Sequence, residues 1–163
     1  MNEKGANDQT FRFRNPSQVE NILSQYPDRR SALLPLLHMA TAEAGYITQP
    51  IINAVARIVE AHPSEIMETV SFYSMLHTAP KGEFILQICQ TLPCSIRGAD
   101  NLVDHLCERL SIQPGETTKD GKFTVMKVEC LGACDIAPLV QVNNDHHEKM
   151  TVEKLDKLLK SLS

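Results

Sequence analysis

Two stretches decide how this chain folds: Phe84–Cys94, FILQICQTLPC, and Lys122–Cys134, KFTVMKVECLGAC. Phe84 to Cys89 is a short apolar run of strand length. After it, Ala99, Leu102, Val103, Leu106, Cys107 and Leu110 recur at the spacing of one helix face, which predicts a helix over about 95–110. Lys122 to Cys130 alternates Phe123, Val125 and Val128 imperfectly behind the turn-like Asp120-Gly121 and reads as the next strand. Strand, helix, strand predicts a parallel pair, and a right-handed crossover brings both carboxyl ends to one sheet edge. Cys89 ends the first strand with Cys94 following it, and Cys130 ends the second with Cys134 following. The four thiols are therefore expected to converge where open α/β sheets bind ligands.

Downstream, Leu139 to Asn143 and a short return after Asn144-Asp145 read as a hairpin. Thr151 caps a last helix with Val152, Leu155, Leu158, Leu159 and Leu162 inward. Upstream the texture is helical. Asn15-Pro16 starts a helix carrying Val19, Ile22, Leu23 and Tyr26 on one face. A second helix buries Leu33, Leu36, Leu37 and Ala40 and stops at Gly45. Thr48 caps a third with Ile52, Val55, Ala56 and Val59 inward, and His62-Pro63-Ser64 starts a fourth that runs to about Tyr73. His77 to Glu83 clusters proline, glycine and charge and is the best boundary. The expected organisation is a flexible N-terminus over 1–14, a helical bundle over 15–80 and a β-α-β-β-α domain over 81–163 that has room for one short extra strand.

A net charge of -4 and a pI near 5.8 offer no electrostatic reason to expect nucleic acid or an anionic membrane as the main partner. No apolar run approaches a membrane span, and even Ile51 to Ala61 carries Asn53, Arg57 and Glu60, so direct membrane insertion is not expected. The N-terminus lacks an apolar signal core and carries Glu3 and Asp8, which points to a soluble, cytoplasmic chain. In that compartment five cysteines argue against a disulfide framework and for metal ligation.

The spacing C-x4-C with C-x3-C departs from the tight knuckles of structural zinc sites, although tetrahedral zinc remains chemically possible. Four thiolates also suit iron and sulfide, each pair of thiolates on its own iron. Cys107, on the apolar face of its helix, reads as a small buried hydrophobe and not a ligand. Arg97 places positive charge near Cys94, and the amides of Leu131-Gly132-Ala133 are expected to approach the sulfurs.

CQTLPCSIRGAD, GETTKDGKFTVMKVECLGACDIAPLVQVNND and ETVSFYSML resemble a family of NADH-quinone oxidoreductase subunits, the thioredoxin-like [2Fe-2S] ferredoxin subunits of respiratory complex I. The resemblance runs from about Asn15 to Leu162. It implies a thioredoxin-like domain behind the helical leader, an α+β or α/β architecture, and one [2Fe-2S] cluster held by Cys89, Cys94, Cys130 and Cys134. It further implies a flavin-bearing partner subunit that binds FMN and oxidises NADH, with the helical leader packed on it. The location implied is cytoplasmic, attached to the inner membrane through the peripheral arm of the complex. This chain has no G-x-G-x-x-G and no phosphate loop to cradle a dinucleotide itself.

The resemblance departs at His146-His147, where the family commonly carries two tyrosines. Neighbours on a strand point to opposite faces, so the pair reads as a solvated hairpin, not a metal site. Phe72 and Tyr73 read as bundle core or interface. By fold analogy, the Ala137-Pro138 bond is expected to be cis. The same module resembles small diaphorase subunits of soluble NAD-linked hydrogenases and formate dehydrogenases, which is the alternative assembly. A free ferredoxin-like carrier and a zinc-stabilised interaction module are the other readings.

Overall fold

The computed structural model describes residues 10–162. The chain splits in sequence between Pro80 and Lys81 into two compact units.

The first unit contains helices α1 (Pro16–Ser24), α2 (Leu33–Ala44), α3 (Gln49–Val59) and α4 (Pro63–Phe72). Local chemistry starts them. Asn15 Oδ1 accepts the Gln18 N–H at 3.3 Å, and Pro16 occupies a first-turn position where no intrahelical N–H is needed. Before α4, His62 Nδ1 accepts the Ser64 N–H at 3.3 Å, while the Glu65 carboxylate accepts the His62 N–H at 3.0 Å. Thr48 stands at the N-cap of α3, yet its side chain makes no capping bond. The inward faces meet in a core of Leu36, Leu37, Ile51, Ile52, Val55, Val59 and Ile66. Each such side chain contributes about 1.5–3 kcal/mol by leaving water.

Three expectations change here. The helix α1 ends at Ser24, so Tyr26 falls beyond its inward face and is 36% exposed. Of the stretch 1–14 expected to be flexible, residues 1–9 lie outside the described residues. Within the remainder, Phe13 is buried in the helical core and Phe11 packs edge-on against it, their rings 5.1 Å apart. Two aromatic anchors thus hold this arm against the bundle. Phe72, expected in core or interface, is 80% exposed and touches Tyr73 edge-on at 5.2 Å, so it is not core.

The second unit is a four-stranded sheet in the order β2-β1-β3-β4, with β1 (Phe84–Cys89), β2 (Phe123–Val128), β3 (Val140–Val142) and β4 (Asp145–His147). β1 and β2 are parallel, and β3 and β4 add antiparallel pairs. Between β1 and β2 the helix expected over 95–110 is two: α5 (Leu92–Ile96) and α6 (Ala99–Leu110). They separate at Gly98, whose φ of 92° is incompatible with continuing a right-handed helix. α6 and the terminal α7 (Val152–Ser161) pack together, and Thr151 Oγ1 caps α7 by accepting the Lys154 N–H at 3.3 Å.

Leu86, Ile88, Val125 and Val140 are fully buried in this unit. Thr124 is fully buried as well, and its hydroxyl is satisfied by the Gly82 N–H at 2.7 Å and the Thr117 hydroxyl at 2.7 Å. At Gly82 a Cβ would come within 2.8 Å of the Phe123 carbonyl carbon, so only glycine lets the two backbones pass. The Ala137-Pro138 bond is cis, as expected. His146 is exposed on the edge strand β4, its Nε2 2.9 Å from Gln141 Oε1, in keeping with a solvated hairpin.

Candidate metal centre

The register pairs Cys89 with Val128, so the ends of β1 and β2 lie side by side. The pairing continues one step further, the Gln90 N–H donating to the Val128 carbonyl at 2.9 Å. Cys89 is the last residue of β1, and Cys130 follows two residues after the end of β2. From these ends the backbone turns into the segments that carry the other two thiols. Cys94 lies in α5, where Pro93 is tolerated because a first-turn N–H needs no intrahelical partner. Cys134 opens a short 310 turn, Cys134–Ile136.

The thiols influence one another two by two. Cys89 and Cys94 are hydrogen-bonded neighbours, as are Cys130 and Cys134, and the charge of Cys89 is felt at Cys134 across the pairs. Among the described residues, no three histidine, cysteine or carboxylate groups are placed to hold a single metal ion. The donors group two by two instead. Cys89 and Cys94 are each 2% exposed, whereas Cys130 and Cys134 are open to solvent, so one side of the centre is walled off and the other reaches the surface.

Hydrogen bonds converge on the sulfurs. Burial pushes the Cys89 thiol up, but the Thr91 hydroxyl at 3.1 Å, the Leu131 and Thr91 backbone N–H groups and the Cys94 thiol outweigh it and leave its pKa lowered. Burial raises Cys94, against a hydrogen bond from the Leu139 backbone N–H; the neighbouring Cys89 and Cys134 add to the rise. Cys134 is raised first by its hydrogen bond with Cys130, then by burial and nearby negative charge. The Gly132 N–H donates to Cys130 Sγ at 3.3 Å from a backbone with φ of 76°. A Cβ at that φ would cost about 1–2 kcal/mol, so the glycine sets the direction of the amide.

The sequence reading anticipated the Leu131 and Gly132 amides. It did not anticipate Thr91, although a threonine two residues after a cysteine offers a local hydroxyl donor. It also missed Leu139, which no local signal connects to Cys94. The N–H of Cys94 itself is occupied by the Thr91 carbonyl at 3.0 Å, so it is not directed at a sulfur. Arg97 is exposed, with Nη1 3.5 Å from the Ala137 carbonyl. Cys107 packs partly buried on the core from α6; burial pushes its thiol up, and Asp104 adds to the effect.

A set of four thiols and no other donor type is soft, and two pairs with backbone N–H groups aimed at the sulfurs fit a two-iron, two-sulfide cluster.

The family model for thioredoxin-like [2Fe-2S] ferredoxin matches residues 19–163. The chain is 42% identical over 144 residues to an NADH-quinone oxidoreductase subunit of Rhizobium meliloti, a match covering 88% of this chain and 86% of that one. It is 44% identical over 147 residues to NADH-quinone oxidoreductase subunit 2 of Thermus thermophilus, covering 88% and 81%. Among solved structures it is similar to the NAD+-reducing [NiFe]-hydrogenase in the H2-reduced state, with 25% identity and a TM-score of 0.68 over 80% of this chain. This chain spans 22% of that hydrogenase chain.

Proposed function

Given that the chain belongs to the thioredoxin-like [2Fe-2S] ferredoxin family, alongside these subunits of NADH-quinone oxidoreductase, we propose that it is an electron-transfer subunit of such a complex. Cys89, Cys94, Cys130 and Cys134 hold one [2Fe-2S] cluster. The partner is a neighbouring subunit that binds FMN and oxidises NADH, and the assembly sits in the peripheral arm on the cytoplasmic face of the inner membrane. Among the described residues, no helix is long and apolar enough to cross a membrane.

The observation that carries this reading is the placing of two cysteine pairs just beyond the side-by-side ends of the parallel strands, near enough to perturb one another's thiols. When bound, the cluster supplies one-electron storage and transfer. This chain's residues supply the rest. Buried Cys89 and Cys94 keep water from one side, and the Thr91, Leu131, Leu139 and Gly132 donors stabilise thiolate charge in a setting where burial disfavours it. Exposed Cys130 and Cys134 leave the other side open to a redox partner.

Anaerobically prepared protein should contain two irons and two sulfides per chain, with the visible and EPR spectra of such a cluster. Cys130→Ala should remove or severely destabilise it. Unchanged iron content in that variant defeats the ligand assignment, and a colourless zinc protein defeats the redox reading.

The likeness to the hydrogenase favours a second assembly, a small diaphorase subunit of a soluble NAD-linked enzyme. The subunits that purify with the chain separate the two, because only the respiratory assembly brings membrane-embedded proton-pumping chains.

A further inference from the structure

A cleft of about 470 Å³ opens on the first unit between the arm 10–14, α1 and the C-terminal half of α3. None of its residues belongs to the thiol centre. The floor is apolar, built from Phe11, Phe13, Ala54 and Ile58. Its rim carries Arg12, Arg29 and Arg57 against the single carboxylate of Glu20.

Three cations around one cleft stand out in a chain of net charge -4. Arg29 is accounted for: its Nε donates to the Ile58 carbonyl at 2.9 Å and lies 3.6 Å from Glu60. Arg12 and Arg57 make no ion pair or side-chain hydrogen bond among the described residues. Arg57 stands in the last turn of α3, where a cation gains about 0.3–1 kcal/mol from the helix dipole. That accounts for Arg57 alone, since Arg12 stands on a non-helical arm. The arm has a further feature: among the described residues, the backbone N–H and C=O groups of Phe11, Arg12 and Phe13 form no hydrogen bond to other backbone. Among the described residues, an apolar floor, two arginines without an ion pair and a backbone segment without backbone partners meet in one place.

We infer that this cleft docks an acidic peptide segment of a partner protein. A large apolar side chain of the segment sits on the floor, carboxylates beside it pair with Arg12 and Arg57, and its backbone runs along the arm. A peptide fits better than an anionic membrane surface. Membrane attraction needs a broad basic face, and this rim is a local concavity on a chain that is negative overall. The inference does not rest on the redox reading.

The test titrates the full chain with acetyl-Asp-Glu-Phe-Glu-Asp-amide, using the counterpart with lysines at the acidic positions and the one with glycine for phenylalanine as controls. The acidic peptide should bind saturably and shift the amide resonances of residues 11–13 and 54–58. The glycine peptide should bind about tenfold more weakly, as loss of a buried phenylalanine requires. Arg12→Glu and Arg57→Glu should each weaken binding about tenfold at low salt and less at high salt, with circular dichroism unchanged. Failure to saturate in the millimolar range, equal binding of the lysine peptide, or resonance shifts confined to other residues overturns the inference. So does binding to vesicles of phosphatidylserine and phosphatidylcholine by a chain that ignores the peptide.

Discussion

Cys107 and Cys130 carry the same thiol in different surroundings. Cys107 fills space on the apolar face of α6, whereas Cys130 is exposed, accepts the Gly132 N–H and raises the Cys134 thiol. Cys107→Ala should therefore leave iron content and the cluster spectrum unchanged, at most lowering stability; loss of iron in that variant would overturn its exclusion from the ligand set. Arg97 offers a second test. A four-thiolate cluster is anionic and gains another negative charge on reduction, so a nearby cation favours the reduced form. Arg97→Gln should lower the potential, by no more than a few tens of millivolts for a solvent-exposed charge, since about 1 kcal/mol is roughly 40 mV for one electron. A redox titration at low salt reads it, and an identical potential would leave the arginine a docking role or none. At this scale the four cysteines stand out as candidates because paired thiols just beyond strand ends are visible in residue type and spacing. The Leu139 amide was not, because it reaches Cys94 only through the return of the backbone before β3.

Between elements, the pair α6 and α7 is tied by one polar cluster. Asp156 Oδ1 lies 2.9 Å from His105 Nε2 and 3.2 Å from Arg109 Nε. The His105 hydrogen bond holds the Asp156 carboxyl below its usual range; burial opposes this, and the Arg109 charge supports it. A carboxyl whose folded pKa is depressed stabilises the fold above its unfolded value and loses that contribution as pH falls through the folded one. Asp156→Asn should accordingly lower the melting temperature at neutral pH, and the gap to wild type should close as pH falls below about 4. A gap that is constant from neutral to acid pH would mean that the carboxylate charge contributes nothing. The helices themselves were legible from apolar periodicity. The break at Gly98 was weaker in the pattern, because Ala99 onward continues the same helix face while the turn before it changes direction.

As a whole, the molecule divides into a helical unit and a sheet-based unit, of which only the second carries the thiol centre. If the protein is a fixed subunit, it should purify from native membranes in nearly equal amounts with a flavoprotein; recovery as a free monomer that serves several enzymes would favour the carrier reading. By itself the sequence determined the element order apart from the break at Gly98, the inward faces apart from Tyr26, the four candidate ligands and the family, because periodicity, caps and cysteine spacing are local properties carried by residue type. Tertiary structure decided what depends on distant segments meeting. It buried Cys89 and Cys94 while leaving Cys130 and Cys134 at the surface, turned the Leu139 donor toward Cys94, and folded Phe11 and Phe13 back onto the helices to leave an arginine-rimmed cleft. Burial and hydrogen-bond direction depend on which surfaces are brought together across long loops, and no local pattern encodes that geometry.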